Sequence, residues 1–247
     1  MSTGIPPVCI LAGGRATRLG ARARDTPKAL IEVAGRPFVE HQLAQLAGHG
    51  LRRVVLCVGH LGERIEAALG RRFAGVEIDY SYDDPGLDGT LGAIRRAAPL
   101  LGPRFLVLYG DTYLELDYRS FLDGWDRSTR PAAMTVLHNE GRWERSNVVY
   151  ADGLVSLYDK IRSSPAMRWV DYGLGGLTME VLDAVPVNET DLAGLYHRLS
   201  VTGRLYGFEV GRRFHEIGTP ATLAETDAYL RSPDAPAGVS RGPRDRG

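Results

Sequence analysis

A chain of 247 residues with 44% hydrophobic and 24% charged side chains is ordinary globular material, enough for one large domain or two small ones. Thirty Lys+Arg balance thirty Asp+Glu, which excludes the broad basic field of a nucleic-acid or acidic-membrane binder. No stretch approaches the ~18 consecutive apolar residues of a membrane span, and "MSTGIPPVCILAGG" lacks the basic start and apolar length of a signal peptide.

The elements alternate. "VCILA" (8–12) reads as a buried strand running into a glycine turn. "FVEHQLAQLAGHG" then has helical spacing, with Phe38, Leu43, Leu46 and Ala47 on one side and glycine at its end. "RVVLCVG" (53–59) is a second buried strand, "LGERIEAALG" a helix, "VEIDYSY" a strand, "GTLGAIRRAAPLL" a helix and "RFLVLYGD" a strand. Near-continuous apolar strands separated by helices predict a sheet covered on both faces. The fold class expected is α/β, a Rossmann-like three-layer α/β/α sandwich with a mixed, mainly parallel central sheet. Cys9 and Cys57 each fall inside one of these apolar runs, so free core thiols in a cytoplasmic protein are expected.

After about residue 130 the pattern loosens. "AAMTVLH", "NVVYADGLVSLYDK" and "RWVDYGLGGL" read as strands joined by turns, suggesting a second lobe laid over the first half. "YHRLSVTGRLYGFEV" (196–210) is mixed and "PATLAETDAYL" (220–230) is a closing helix. One domain over residues 1–231 is expected, its two halves meeting at about residue 130. Residues 232–247, rich in Pro, Gly and Arg, read as a disordered tail.

The strongest chemical signal is "LAGGRATRLGARARDTPKAL". Gly13 and Gly14 let the backbone turn sharply and bring N–H groups to phosphate oxygens. Arg15, Arg18 and Lys28 add positive charge around a polyphosphate. The glycine spacing is neither GxGxxG nor a P-loop, which argues against a dinucleotide-dependent oxidoreductase. Composition adds a second signal. Of thirty Lys+Arg only Lys28 and Lys160 are lysine, leaving 28 arginines. A compact ammonium and a planar guanidinium fork do different work where geometry is tight.

Taken whole, the segment resembles the signature of the sugar-1-phosphate nucleotidylyltransferase family, LAGGxGTRLxPLTxxxPKxxxxVxxxP. Leu11, Ala12, Gly13, Gly14, Thr17, Arg18, Leu19, Pro27, Lys28, Val33 and Pro37 match it, whereas Ala16 and "GARARD" depart from it. Further resemblances follow in order. "GDTYLELD" (110–117) resembles the Gly-Asp metal motif, and "DGTLGAI" (88–94) resembles the nucleotide-contacting turn. "SNVVYADGLVSLYDK" resembles the segment that ends in the second active-site lysine. "FHEIGTPATL" resembles the W-x-D-x-G-T-P element, with Glu216 in place of its acid.

The resemblance implies Mg2+-dependent transfer of a nucleotidyl group to a sugar 1-phosphate, with Arg18, Lys28 and Lys160 as the catalytic cations. It implies nucleotide contacts from Leu11, Ala12, Gly13, Gly14, Arg15, Asp84, Gly89, Thr90 and Asp111, and sugar contacts from Asn147, Asp159 and Gly173. Asp111 and Glu216 are the implied metal ligands. Within the family, the short length and "SNVVY…YDK" look most like the heptose-1-phosphate guanylyltransferases, with the N-acetylmuramate-1-phosphate uridylyltransferases second. Asp83 and Asp84 sit near the expected base pocket, where a carboxylate could accept from guanine's N1–H and N2–H2; "DDPG" is equally an ordinary turn. A catalytically inactive nucleotide-binding regulator is the alternative, hinted at by Ala16 and Glu216. Base, sugar and homo-oligomerisation stay open.

Overall fold

The computed structural model describes residues 4–14, 18–19, 25–83, 89–233 and 235. In chain order they form β1 (Val8–Leu11), β2 (Glu32–Val33), β3 (Arg36–Pro37), α1 (Phe38–Gly48), β4 (Arg53–Val58), α2 (Gly62–Leu69), β5 (Arg72–Phe73), β6 (Val76–Tyr82) and α3 (Gly89–Ala97). There follow β7 (Arg104–Tyr109), β8 (Thr112–Tyr113), α4 (Tyr118–Ser128), β9 (Ala132–His138), β10 (Val148–Ala151), β11 (Leu154–Tyr158) and β12 (Trp169–Thr178). The chain closes with α5 (Met179–Asp183), α6 (Leu192–Val201), β13 (Leu205–Val210), β14 (His215–Glu216) and α7 (Pro220–Arg231). No helix among the described residues is long and apolar enough to cross a membrane.

Ten strands share one sheet in the order β10-β11-β13-β9-β12-β7-β1-β4-β6-β5. Strand side chains alternate between faces, and the apolar runs are continuous because both faces are covered. Val8, Ile10, Leu56 and Val58 meet α1, α2 and α4 through Leu43, Leu46, Ile65 and Trp125. Cys9, Val55 and Cys57 meet α3, α5 and α6 through Leu91, Ile94, Val181 and Leu195. This is the expected three-layer sandwich. Cys9 and Cys57 are free and buried, their sulfurs 3.3 Å apart. The Cys57 contact and burial hold the Cys9 thiol well above its ordinary range.

Parallel pairing holds for β7-β1-β4-β6 and for β13 with β9. The sheet is mixed, as expected, with its antiparallel part in the second half, where β12 runs antiparallel to both β7 and β9 and β10 and β11 form a hairpin. The second half is not a lobe laid over the first. Its strands extend the same sheet, because short turns such as that between Ala151 and Leu154 permit only antiparallel neighbours.

β1 is the point where connections diverge, with β4 on one side and β7 on the other. Ligands of open α/β sheets bind beyond the carboxyl ends of strands at such a point. There the backbones of β1 and β7 come very close. A Cβ on Gly110 would lie 2.6 Å from Leu11 O and 2.9 Å from Ala12 Cα. Both contacts are main chain and cannot swing away. Gly110→Ala is therefore expected to destabilise the protein by about 2–3 kcal/mol, the cost of forced overpacking. Urea denaturation checks this; a change below about 0.5 kcal/mol, the level of an inert surface substitution, would contradict the tight approach.

Candidate active site

The glycine turn leaves β1 with Ala12 N donating to Cys57 O at 2.9 Å, so the turn is pinned to the neighbouring β4. The carboxylate of Asp83, at the end of β6, fills the space that side chains at Gly13 and Gly59 would occupy. A Cβ on Gly13 would lie 2.6 Å from Asp83 Oδ2, and one on Gly59 2.5 Å from it. Arg96 stands behind this carboxylate, Nη1 to Oδ1 at 3.4 Å. Arg18 is exposed beside the turn. Arg15 and Asp84, both expected to bind nucleotide, lie outside the described residues.

Lys28 follows Pro27 in a short 3-10 turn, Lys28–Leu30, which directs its side chain inward. It is only 12% exposed, and its Nζ donates to Asp111 Oδ2 at 2.7 Å. Asp111 lies just beyond β7, and its main chain is held by Ile217 N donating to Asp111 O at 3.0 Å. The same contact carries Glu216 to the site, since β14 pairs with β8 and aligns Glu216 with Thr112. Thr226 of α7 donates to Glu216 O at 2.7 Å. His215, adjacent in sequence, stacks on Tyr229 with centroids 3.8 Å apart, and burial lowers its pKa. It packs as part of the fold.

The second lysine reaches the same strand end from the far half of the chain. Lys160 Nζ lies 5.3 Å from the ring centroid of Tyr109, two residues before Asp111. The turn carrying it is shaped by Asp159, whose Oδ1 accepts from Ile161 N at 2.7 Å and Arg162 N at 2.8 Å. These bonds to Arg162 and Ile161 hold the Asp159 carboxyl below its ordinary range. Asp159, expected to contact sugar, sets the geometry of the Lys160 loop through these bonds.

Asn147 is buried, and its Oδ1 accepts from Asp171 N at 3.0 Å, joining the start of β10 to β12. Gly173, at φ +109°, sits where β12 slips register between Asp171 and Gly175. That conformation suits glycine and lets Gly173 N donate to Asp171 Oδ1 at 3.0 Å. The side chain thus held, Asp171, was missed in the sequence. Burial pushes its carboxyl above the ordinary range, while the Lys160 charge partly offsets the rise. Glu144 is exposed overall, yet local desolvation of its carboxyl, then the charges of Glu216 and Asp171, push it up against Lys160. A lone acid breaking the apolar run "WVDYGLGGL" was the available signal. The Tyr109 hydroxyl, pushed well up by burial and then by Asp171, stays protonated.

Gly89 and Thr90 are engaged elsewhere. Gly89, at φ +85°, abuts Thr190 O, and Thr90 Oγ1 accepts from Leu192 N at 2.7 Å while donating to Asp191 at 3.3 Å. They join α3 to α6.

Two carboxylates from adjacent main-chain segments suit a hard cation that completes its shell with water and phosphate oxygens. Among the described residues no cluster of three or more His, Cys, Asp or Glu side chains forms a closed metal cage.

A glycine turn at the divergence point of a doubly covered sheet, with the Lys28–Asp111 pair just beyond the adjacent β7, marks an α/β protein of the open-sheet class. Residues 8–176 match the MobA-like NTP transferase domain, and the chain belongs to that family. It is 41% identical over 111 residues to the N-acetylmuramate α-1-phosphate uridylyltransferase of Neisseria meningitidis, covering 44% of this chain and 48% of that one. It is 27% identical over 180 residues to the D-glycero-α-D-manno-heptose 1-phosphate guanylyltransferase of Campylobacter jejuni, covering 73% and 79%. The chain spans no more than 48% of the length of the relatives it matches at 40% and 41% identity. In fold it is similar to HddC from Yersinia pseudotuberculosis complexed with GMP-PN, with a TM-score of 0.76 at 24% identity over 92% of this chain and 100% of that one.

Proposed function

We propose that the protein transfers a nucleotidyl group from a nucleoside triphosphate to a sugar 1-phosphate, releasing pyrophosphate. GTP and a heptose 1-phosphate are the favoured pair, and Mg2+ the favoured metal. The observation that carries this reading is the meeting of the two lysines at one strand end. Lys28 is bonded to Asp111, and Lys160 lies over Tyr109. Twenty-eight other cations are arginine.

The reaction forms a bond from a sugar-phosphate oxygen to the α-phosphorus and breaks the bond to pyrophosphate. Two anions must approach in line, so positioning and charge neutralisation supply most of the catalysis. Main-chain N–H groups of the Gly13–Gly14 turn, with Arg18 and Lys28, hold the triphosphate. Lys160 holds the sugar phosphate, its loop shaped by Asp159. Asp171 and Glu144, whose carboxyls both feel the Lys160 charge, would accept from sugar hydroxyls. Asp111 and Glu216 would hold Mg2+, which when bound neutralises phosphate charge and orients the phosphates. Asp83, steadied by Arg96 beside Gly13, favours guanine, whose N1–H and N2–H2 present two donors to one carboxylate. The name of the Campylobacter jejuni relative agrees with this choice, and that of the Neisseria meningitidis relative supports uridylyl transfer to N-acetylmuramate 1-phosphate as the second reading.

A matrix of nucleoside triphosphates against sugar 1-phosphates, read by pyrophosphate release with and without EDTA, tests the proposal. Release with GTP and a heptose 1-phosphate, abolished by EDTA, is expected. Inertness with every pair would leave the inactive regulator standing. Glu216 gives a narrower check. Glu216→Ala is expected to impair turnover severely, while Glu216→Asp keeps activity with a shifted Mg2+ requirement. Full activity and unchanged Mg2+ dependence in Glu216→Ala would remove it from the ligand set.

A further inference from the structure

We propose that Gln42 is a positioning residue for Asp111; this rests on the nucleotidyl-transfer reading above. The helix α1 that covers the sheet buries Phe38, Val39, Leu43 and Leu46, as an apolar stripe should. Gln42 and Gln45 share that burial, at 1% and 9% exposure. A primary amide in such surroundings is unfavourable unless its donors are satisfied. Gln42 Nε2 donates to Tyr109 O at 3.0 Å and to Thr112 O at 2.9 Å. Carbonyls only accept, so the chemistry fixes which end of the amide faces them.

Those two carbonyls flank the Gly110–Asp111 turn, and one side chain therefore bridges both of its ends. Gln45 Nε2 donates to Leu114 O further along the same segment. Gln42 Oε1 is buried without a hydrogen-bond partner among the described residues. A methionine would fill the same space without that orphaned oxygen. A packing role alone gives no reason for an amide here; closing the turn on both sides does. From the opposite side the turn is tied by Lys28 to the Asp111 carboxylate and by Ile217 N to its carbonyl. Removing the α1 anchor leaves Asp111 free to drift from Lys28 and from Glu216, and misplacement of about 1 Å at a reacting centre costs on the order of 100-fold in rate.

The test uses the full chain, with Gln42→Met as a variant of equal length and no donor. Leu46→Ala, on the same helix and fully buried, serves as the packing control. Two readouts are taken: kcat and KM for pyrophosphate release, and Mn2+ affinity in the presence of a non-hydrolysable GTP analogue, from the free Mn2+ electron-spin-resonance signal. Gln42→Met should lower kcat by about 10–100-fold and weaken Mn2+ binding several-fold, with KM for sugar phosphate changed by less than about twofold. Leu46→Ala should lower Tm while leaving kcat and Mn2+ affinity within about twofold. Wild-type kcat and Mn2+ affinity in Gln42→Met, or equal losses in Leu46→Ala, would overturn the proposal. Should Gln42→Met fail to fold, Gln42→Leu, smaller and equally without a donor, takes the same two readouts. A wild-type protein inert with every substrate pair would sink the transfer reading, and the Mn2+ comparison would still decide the role of Gln42.

Discussion

Asp111→Asn is expected to lower kcat/KM for pyrophosphate release by at least about 100-fold, roughly 2.7 kcal/mol of transition-state stabilisation. The substitution keeps the shape and the position at the end of β7. It removes the charge that Lys28 faces at 2.7 Å and the strongest oxygen ligand a metal would find there. The Lys28 ammonium, only 12% exposed, would be left without its carboxylate. Stability should fall less than activity, because the main-chain bond from Ile217 N and the clamp by Gln42 remain. Steady-state kinetics beside urea denaturation separates the two effects. Near-normal turnover in Asp111→Asn would remove Asp111 from the reaction.

The second large effect is expected at the lysines. Lys28→Arg and Lys160→Arg keep the charge but replace a point donor with a wide planar fork. Each should lose at least about tenfold in kcat/KM, about 1.4 kcal/mol. Lys28→Arg should be the worse, because Lys28 is enclosed between its turn and Asp111 whereas Lys160 is exposed at its loop. Lys160→Arg should act mainly on KM for the sugar phosphate. Wild-type kinetics in Lys160→Arg would make the rarity of lysine an accident of composition.

These residues were legible in the sequence because their signals are local. The run "VCILA" needs burial on both faces, the glycine pair needs a turn, and "FLVLYGD" places an acid at a strand end. The two lysines stood out against 28 arginines with no structural knowledge at all. What stayed hidden depends on segments far apart in the chain. Asp171 is held by Gly173 N only because β12 breaks register between Asp171 and Gly175. Gln42 looks like a polar position on an amphipathic helix until Tyr109 and Thr112 are placed against it. The direction of β12 cannot be read from its apolar pattern, so the antiparallel half passed as an overlying lobe. The helix α4 was not anticipated, since its inward stripe of Tyr118, Phe121 and Trp125 includes a glycine, Gly124, and is set among polar residues such as Asp123 and Asp126. The internal bonds of Asp159 and Thr90, which shape a loop and a helix junction, likewise could not be read from their motifs.

The central claim is attack by a sugar-phosphate oxygen on the α-phosphorus. It is tested most directly with a sugar 1-phosphate carrying oxygen-18 on its non-bridging phosphate oxygens and unlabelled GTP, the products being read by phosphorus NMR. The account predicts oxygen-18 in the bridge of the nucleotide sugar and an unlabelled pyrophosphate. Label in the pyrophosphate, or a nucleotide sugar whose bridge lacks it, would contradict the account.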